Sequence, residues 1–281
     1  PANAPIIIVC PGGGASDETR GGLGASIYQC LLERKYRVGV YLKRGAAAPL
    51  RSPAYHMYGH NSDLQSALTH IAERHPGAPI HMVSASAGNG LTSNHAYYHH
   101  KDSGVVKSYF CMFGAADFND LKGASAQIPP AWLFRILVDT IILSNMKETV
   151  LDKNEIVLRK HHEAAFLAAK CCKTAQDFCD IMIRHFSGYS SFEEANLRLN
   201  CLGMGSSCLL AIDKPTMFVY VEDDPMFAGG PSIEYRNAFS ASRYVCCAIF
   251  RYGNHCAAYD SWALTRWCDR LLLQWIDAVS L

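Results

Sequence analysis

The sequence has almost no excess of charge of either sign: 26 Lys and Arg stand against 25 Asp and Glu in 281 residues. Holding a phosphate backbone takes clustered Lys and Arg, so nucleic acid is not an expected partner. Long apolar runs are missing as well. Nothing approaches the ~18 consecutive apolar residues of a membrane-spanning helix. Asn-x-Ser/Thr acceptors are absent, and no Cys-x-x-Cys spacing occurs among the 12 cysteines. Zinc and dithiol redox sites usually bring two sulfurs to one turn at that spacing, so no metal and no cofactor is expected. Several cysteines lie inside apolar, strand-like runs, where a thiol packs as a small hydrophobe. Together these absences favour an intracellular location, cytoplasmic or membrane-associated. The chain opens on Pro1 rather than Met, which fits a processed start upstream of which an anchor could lie.

What the sequence does contain is an alternation of strand-like and helix-like segments. Pro5 to Cys10 (PIIIVC) is short, apolar and rich in β-branched residues, as a buried strand is. A Gly-rich loop follows, then a helical stretch Ile27 to Arg34 and a second strand, Tyr36 to Leu42. In Asn61 to His75, Leu64, Leu68 and Ile71 recur at helical spacing. Asn61 or Ser62 would cap that helix, and Pro76-Gly77 stops it. Ile80 to Val83 reads as a third strand, Ala87 to His99 as a helix and Val105 to Phe113 as a fourth strand. Such alternation implies parallel strands with right-handed crossovers and helices on both faces, in one α/β domain over residues 1–281.

From about Ala116 to Ile212 the strand rhythm stops, and helical stretches such as Ala131 to Leu143, Lys153 to Ala169 and Ala175 to His185 take its place. A helical cap inserted over the site is expected there. The rhythm resumes with Pro215 to Val221, a helix near Ser232 to Ala241, Tyr244 to Phe250 and a last helix from Ser261 to Val279.

A sheet of this kind binds ligands at the carboxyl ends of its strands. The third strand runs there into Ser84-Ala85-Ser86-Ala87-Gly88. A serine hydroxyl is a poor nucleophile at neutral pH, and catalysis needs it lifted on a tight strand-to-helix turn beside an imidazole and facing backbone amides. Small residues two before and two after Ser86 suit that strained turn. The first is Ser84 where glycine is usual. The loop Pro11-Gly12-Gly13-Gly14 after the first strand can bring backbone close to a developing oxyanion. One donor is assigned to the amide of Ala87 and the other to Gly13, with Gly12 nearly equivalent. A nucleotide-binding loop is disfavoured, since neither Gly-x-Gly-x-x-Gly nor Lys-Ser/Thr follows.

The base belongs on a loop after the final strand, where His255 stands in Gly253-Asn254-His255-Cys256. His56, His60, His95, His99, His100, His161, His162 and His185 fall elsewhere and read as packed or solvated side chains. The orienting acid belongs just beyond the penultimate strand, which ends in Glu222-Asp223-Asp224-Pro225. Asp224, next to the turn-forming proline, is the first choice and Asp223 the alternative.

Several of these segments together resemble the YheT-like branch of the α/β-hydrolases, the embryogenesis-associated proteins and lipid-ester hydrolases also called AB hydrolase family four. The similarity runs through Pro11 to Gly14, Tyr41-Leu42-Lys43-Arg44-Gly45, Asp63-Leu64 leading to His75-Pro76-Gly77-Ala78, Ser84 to Gly88, Phe186-Ser187-Gly188-Tyr189, Asp223-Asp224-Pro225 and Gly253-Asn254-His255. The chain departs from the family at Pro11, where a His is usual, at Ser84, and at Asn254, where a second Gly is usual. The resemblance implies an α/β-hydrolase fold and hydrolysis of carboxylic esters of fatty-acyl lipids, or in some members acyl transfer to alcohols.

Two readings follow. In the first, Ser86, His255 and Asp224 act as a serine esterase or lipase on a small-molecule or lipid acyl ester. The apolar stretch Trp132, Leu133, Phe134, Ile136, Leu137, Ile141 and Ile142 then offers an acyl surface, a peripheral membrane contact or simply a core helix of the cap. In the second, motivated by the three departures, the chain is a catalytically silent scaffold that binds a lipid or a partner. The sequence carries no signal for oligomeric state.

Overall fold

The computed structural model describes residues 4–12, 23–56, 59–99, 104–114, 139–140, 143–199, 201–224, 230–253, 255, 258–259 and 266–280. Six strands, β1 (Ile6–Cys10), β2 (Arg37–Val40), β3 (Ile80–Ala85), β4 (Val106–Met112), β5 (Thr216–Val221) and β6 (Val245–Phe250), form one sheet in the order β2-β1-β3-β4-β5-β6. Every neighbouring pair is parallel. Parallel strands are buried on both faces, and β1 shows it in sequence: all five of its residues, IIIVC, are buried. Ile6, Ile8 and Cys10 face one apolar cluster while Ile7 and Val9 face the other.

Helices cover both faces. Ile27 and Leu31 of α1 (Leu23–Glu33) pack with Cys268, Leu272 and Ile276 of the helix Trp267–Val279 on one side. Leu64 and Leu68 of α2 (Asn61–Arg74), Leu91 and Ala96 of α3 (Gly88–Tyr98) and Phe239 of the helix Ile233–Ala241 pack on the other. A fully buried Leu, Ile or Phe contributes roughly 1.5–3 kcal/mol, so these two layers anchor the sheet and leave its carboxyl edge for the site. The chain reverses direction across the sheet between β1 and β3, which are neighbours in register with Cys10 opposite Ser84. That switch point leaves a crevice at the strand ends.

Between β4 and β5 the described residues are helical and have an apolar cluster of their own, built from Leu143, Val150, Leu158, Phe166, Phe178 and Phe186 together with Leu50 and Tyr55 of the loop after β2. A stretch read as one helix, Lys153 to Ala169, is two: Lys153–His161 and Glu163–Cys171. The break falls at His162, whose backbone leaves the helical region and whose Nδ1 accepts a hydrogen bond of 3.2 Å from the Ala165 amide. It therefore caps the second helix. The stretch before it, Lys147–Asp152, is wound as a π-helix that sequence periodicity did not indicate.

Other boundaries moved for local reasons. His60, not Asn61 or Ser62, caps α2, because its Nδ1 accepts from the Ser62 amide and hydroxyl. The last helix starts at Trp267 rather than Ser261, since Arg266 is extended and pairs with Tyr259 in an isolated antiparallel bridge. Gly13, Gly14, Pro225, Asn254, Cys256 and most of the Ala131 to Leu143 stretch, including Trp132 to Leu137, Ile141 and Ile142, lie outside the described residues.

Candidate active site

Ser86 follows β3 directly and has φ 52°, in the left-handed region that a residue with a Cβ enters only under constraint. The constraint is visible on both sides of it. Its amide donates to the Met112 carbonyl at 2.9 Å, and its own carbonyl accepts from the Asn89 amide at 3.0 Å. Gly88 lets the turn close, for a Cβ there would fall 2.3 Å from the carbonyl oxygen of Cys10. The small residue two after Ser86 is thus demanded by β1, a strand remote in sequence, rather than by the turn alone.

Gly12 lies against the serine. A Cβ added to it would stand 3.1 Å from Ser86 Cβ and 3.5 Å from Ser86 Oγ, so the backbone of the first loop packs close against the Ser86 side chain. Ala87 stands at the start of α3 with helical angles, φ −59° and ψ −21°. Gly13, the first-named donor on that loop, is outside the described residues.

His255 reaches the serine from the loop after β6. Its Nε2 is 3.1 Å from Ser86 Oγ and its Nδ1 is 2.8 Å from Asp224 Oδ2. The Asp224 side chain is 2% exposed and the imidazole 17%. The carboxylate oxygen accepts from Nδ1–H, which leaves Nε2 as the lone-pair nitrogen facing the hydroxyl; the proton placement follows from the hydrogen-bond network. The neighbouring Asp223 does different work. Its Oδ1 accepts 2.9 Å from the Gly253 amide and so ties the β5 turn to the base-bearing loop. That loop is further closed by Ala258 N to Gly253 O at 2.6 Å and Trp267 N to Ala258 O at 2.9 Å.

Two of the other segments singled out in the sequence also meet. Arg44 forks onto Asp63, Nε to Oδ2 at 2.7 Å and a terminal nitrogen to Oδ1 at 2.5 Å, linking the loop after β2 to the first turn of α2. These hydrogen bonds hold the Asp63 carboxyl below its ordinary range. Phe186 accepts the Tyr55 amide at 2.9 Å, and Tyr189 stands edge-on to His56 with ring centroids 6.1 Å apart.

The competing nucleophiles and ligands are disposed otherwise. Burial pushes the Cys10 and Cys111 thiols up to about 12, so neither is a thiolate near neutral pH. Every described cysteine is free. His95 is packed between Tyr109 Oη at 3.0 Å and Gln65 Oε1 at 2.7 Å, and His81 against Ser108 Oγ at 2.8 Å. Among the described residues no group of three or more His, Cys, Asp or Glu could hold a metal ion, and no helix is long and apolar enough to cross a membrane.

Sequence reasoning missed Asn89, Met112 and Gly114. A Cβ at Gly114 would fall 2.1 Å from Asn89 Nδ2, so glycine is required where the chain leaves β4. No local signal marks these residues, since each matters only through a neighbour in another segment.

Comparison with known proteins places the fold. No family model matches the chain. Human Protein ABHD15 is 24% identical over 268 residues, covering 89% of this chain and 51% of ABHD15. The chain thus spans about half the length of that curated relative. Among solved structures, the Pyrococcus furiosus esterase Pf2001 superposes with a TM-score of 0.58 at 9% identity, covering 99% of this chain and 85% of the other. A structure from work on carboxylesterases of the thaumarchaeon Nitrososphaera gargenis gives 0.54 at 16% identity, covering 100% and 92%. A lipase-esterase related protein from Clostridium acetobutylicum gives 0.52 at 15%, covering 99% and 96%. At such identities the likeness is one of fold, and with the parallel six-stranded sheet it assigns the α/β-hydrolase fold.

Proposed function

We propose that this chain is a serine carboxylic-ester hydrolase acting through an acyl-enzyme on Ser86. The carrying observation is the continuous run from Ser86 Oγ to His255 Nε2, 3.1 Å, and from His255 Nδ1 to Asp224 Oδ2, 2.8 Å. Both lengths lie in the range for proton transfer between nucleophile, base and orienting acid. In this reading His255 takes the hydroxyl proton as Oγ attacks the acyl carbon. The carbonyl oxygen gathers negative charge in front of the amides of Ala87 and of Gly12 or Gly13. His255 then gives the proton to the departing alcohol while Asp224 steadies the imidazolium. Water, deprotonated by the same imidazole, releases the carboxylic acid and restores Ser86.

The substrate class we propose is the fatty-acyl ester, with the helices between β4 and β5 serving as a cap over the site at about residues 116–212. An apolar cap suits an acyl chain because each buried methylene contributes about 0.8 kcal/mol. The esterase and lipase-related names of the superposed structures support an ester substrate, and the recurring segments support the YheT-like branch. A reducing intracellular compartment, which we also propose, accords with the free thiols of the described cysteines; peripheral contact with a lipid surface would follow from a fatty-acyl substrate.

A fluorophosphonate probe tests the reading. Labelling of the intact chain that disappears in Ser86→Ala is expected. Folded protein that takes no label would instead favour a silent lipid- or partner-binding scaffold. A series of p-nitrophenyl esters from short to long chain then tests the acyl preference, with turnover rising toward long chains expected. Alcoholysis faster than hydrolysis on one ester would redirect the assignment to an acyltransferase.

A further inference from the structure

Ser84 is the residue at which the turn departs from glycine, and it is wholly buried. Its hydroxyl is not idle. It donates 2.7 Å to Asn89 Oδ1, and Asn89 Nδ2 in turn donates 2.9 Å to the Met112 carbonyl. That carbonyl is the one that accepts the Ser86 amide at 2.9 Å, and the Asn89 amide donates back to Ser86 O at 3.0 Å. Asn89 is therefore joined to the Ser86 backbone twice, by its side chain through the shared Met112 carbonyl and by its own backbone amide. Its orientation is determined by its neighbours: Met112 O can only accept, so Nδ2 must face it and Oδ1 is left for Ser84. The Cys111 thiol also contacts the Ser84 hydroxyl, an interaction that opposes the upward push of burial on that thiol.

We infer that Ser84 and Asn89 are a pair of positioning residues that hold Ser86 in its left-handed conformation, with Gly114 leaving the space Asn89 needs. Where glycine at the first position of the turn offers only room, this chain uses a hydroxyl that locks a buried amide beneath the serine. Removing the hydroxyl leaves Asn89 Oδ1 buried without its donor, a loss felt at Met112 O and so at the Ser86 amide. The departure at Ser84 is then a compensated substitution and no sign of a silent site. The inference rests on the reading of Ser86 as nucleophile.

The test uses the full chain with Ser84→Gly, Ser84→Ala, Asn89→Ala and the double variant S84A/N89A, followed by fluorophosphonate labelling at saturating and limiting probe. Ser84→Gly adds no atoms, so it cannot fail by crowding. The maximal labelling rate per folded molecule is expected to fall about tenfold in Ser84→Gly and Ser84→Ala, as for one buried hydrogen bond lost. The half-saturating probe concentration should stay within about twofold, and the pH midpoint of labelling should not move. The double variant should be no more than about twofold slower than Asn89→Ala, since both changes cut one chain of contacts. A wild-type rate in Ser84→Gly, a loss accounted for by the unfolded fraction alone, or losses that multiply in the double variant would each overturn the pairing. If wild-type protein takes no label, it is the nucleophile reading that fails. The pair is then read from hydrogen exchange at the Ser86 amide, where about tenfold faster exchange in Ser84→Gly sustains the coupling and unchanged exchange overturns it.

Discussion

Asp223 binds backbone where its neighbour Asp224 binds imidazole: Asp223 Oδ1 accepts the Gly253 amide at 2.9 Å, two residues before His255. Adjacent carboxylates of equal intrinsic acidity thus acquire different work from the loop they face. Asp224→Asn should keep the packing yet favour the wrong imidazole tautomer and lower kcat on a p-nitrophenyl ester by roughly 10,000-fold. Asp223→Asn retains an acceptor oxygen for Gly253 and should stay within about threefold of wild type. A reversed order in measured kcat would assign the orienting role to Asp223.

The glycines around the turn should separate activity from stability. Gly88→Ala places a Cβ 2.3 Å from a backbone oxygen of β1, which can yield only by moving the strand. A destabilisation of about 3 kcal/mol or more, read by urea melting, is expected. Gly12→Ala meets side-chain atoms of Ser86 at 3.1 Å and 3.5 Å. The fold should survive that contact with a loss under ~1 kcal/mol, while the ester rate falls by about 100-fold or more because the crowded side chain is the one that carries the nucleophile.

Three buried histidines set the acid limit of the fold. Burial lowers His95 to about 3 and His56 and His81 to about 4. Each folded-state value lies below the unfolded value near 6.5, so the unfolded chain binds protons that the folded chain refuses. Stability therefore rises with pH between about 4 and 6.5 and is lost as pH falls through that window, by at most about 1.4 kcal/mol per pH unit for each histidine. The melting temperature should drop between pH 7 and pH 5. His95→Gln, which keeps polar reach toward Tyr109 and Gln65 without a titrating ring, should flatten part of the slope. A slope unchanged in that variant would contradict the assignment.

Asn154 should be a stability residue for the helical segment. Buried on the helix Lys153–His161, it accepts from Leu50 N at 2.7 Å and donates to Gly45 O at 3.1 Å and Val150 O at 2.7 Å. Asn154→Leu keeps the branched heavy-atom framework but strands the Leu50 amide and the Gly45 carbonyl. A loss of about 1–3 kcal/mol is expected, with Arg44→Ala, which removes an exposed ion pair, costing under ~1 kcal/mol. Urea melts of the two variants check the order.

The order of strands and helices, both-face burial of β1 and the placement of Ser86 and His255 at strand ends were determined by the sequence itself. Each is written in contiguous residues: a run of β-branched apolar side chains, a helical stripe such as Leu64 and Leu68, a serine between small residues, a histidine beyond the last strand. Tertiary structure decided what depends on residues far apart in the chain. The sequence ranks Asp224 ahead of Asp223 only by its place beside Pro225, and the loop after β6 is what separates the one that meets Gly253 from the one that meets His255. His60 and His162 became helix caps because an imidazole nitrogen happened to face a free amide, a matter of backbone path rather than residue type. Ser84, legible only as a missing glycine, takes its meaning from Asn89 and Met112, whose hydrogen bonds exist once β3, α3 and β4 have packed together.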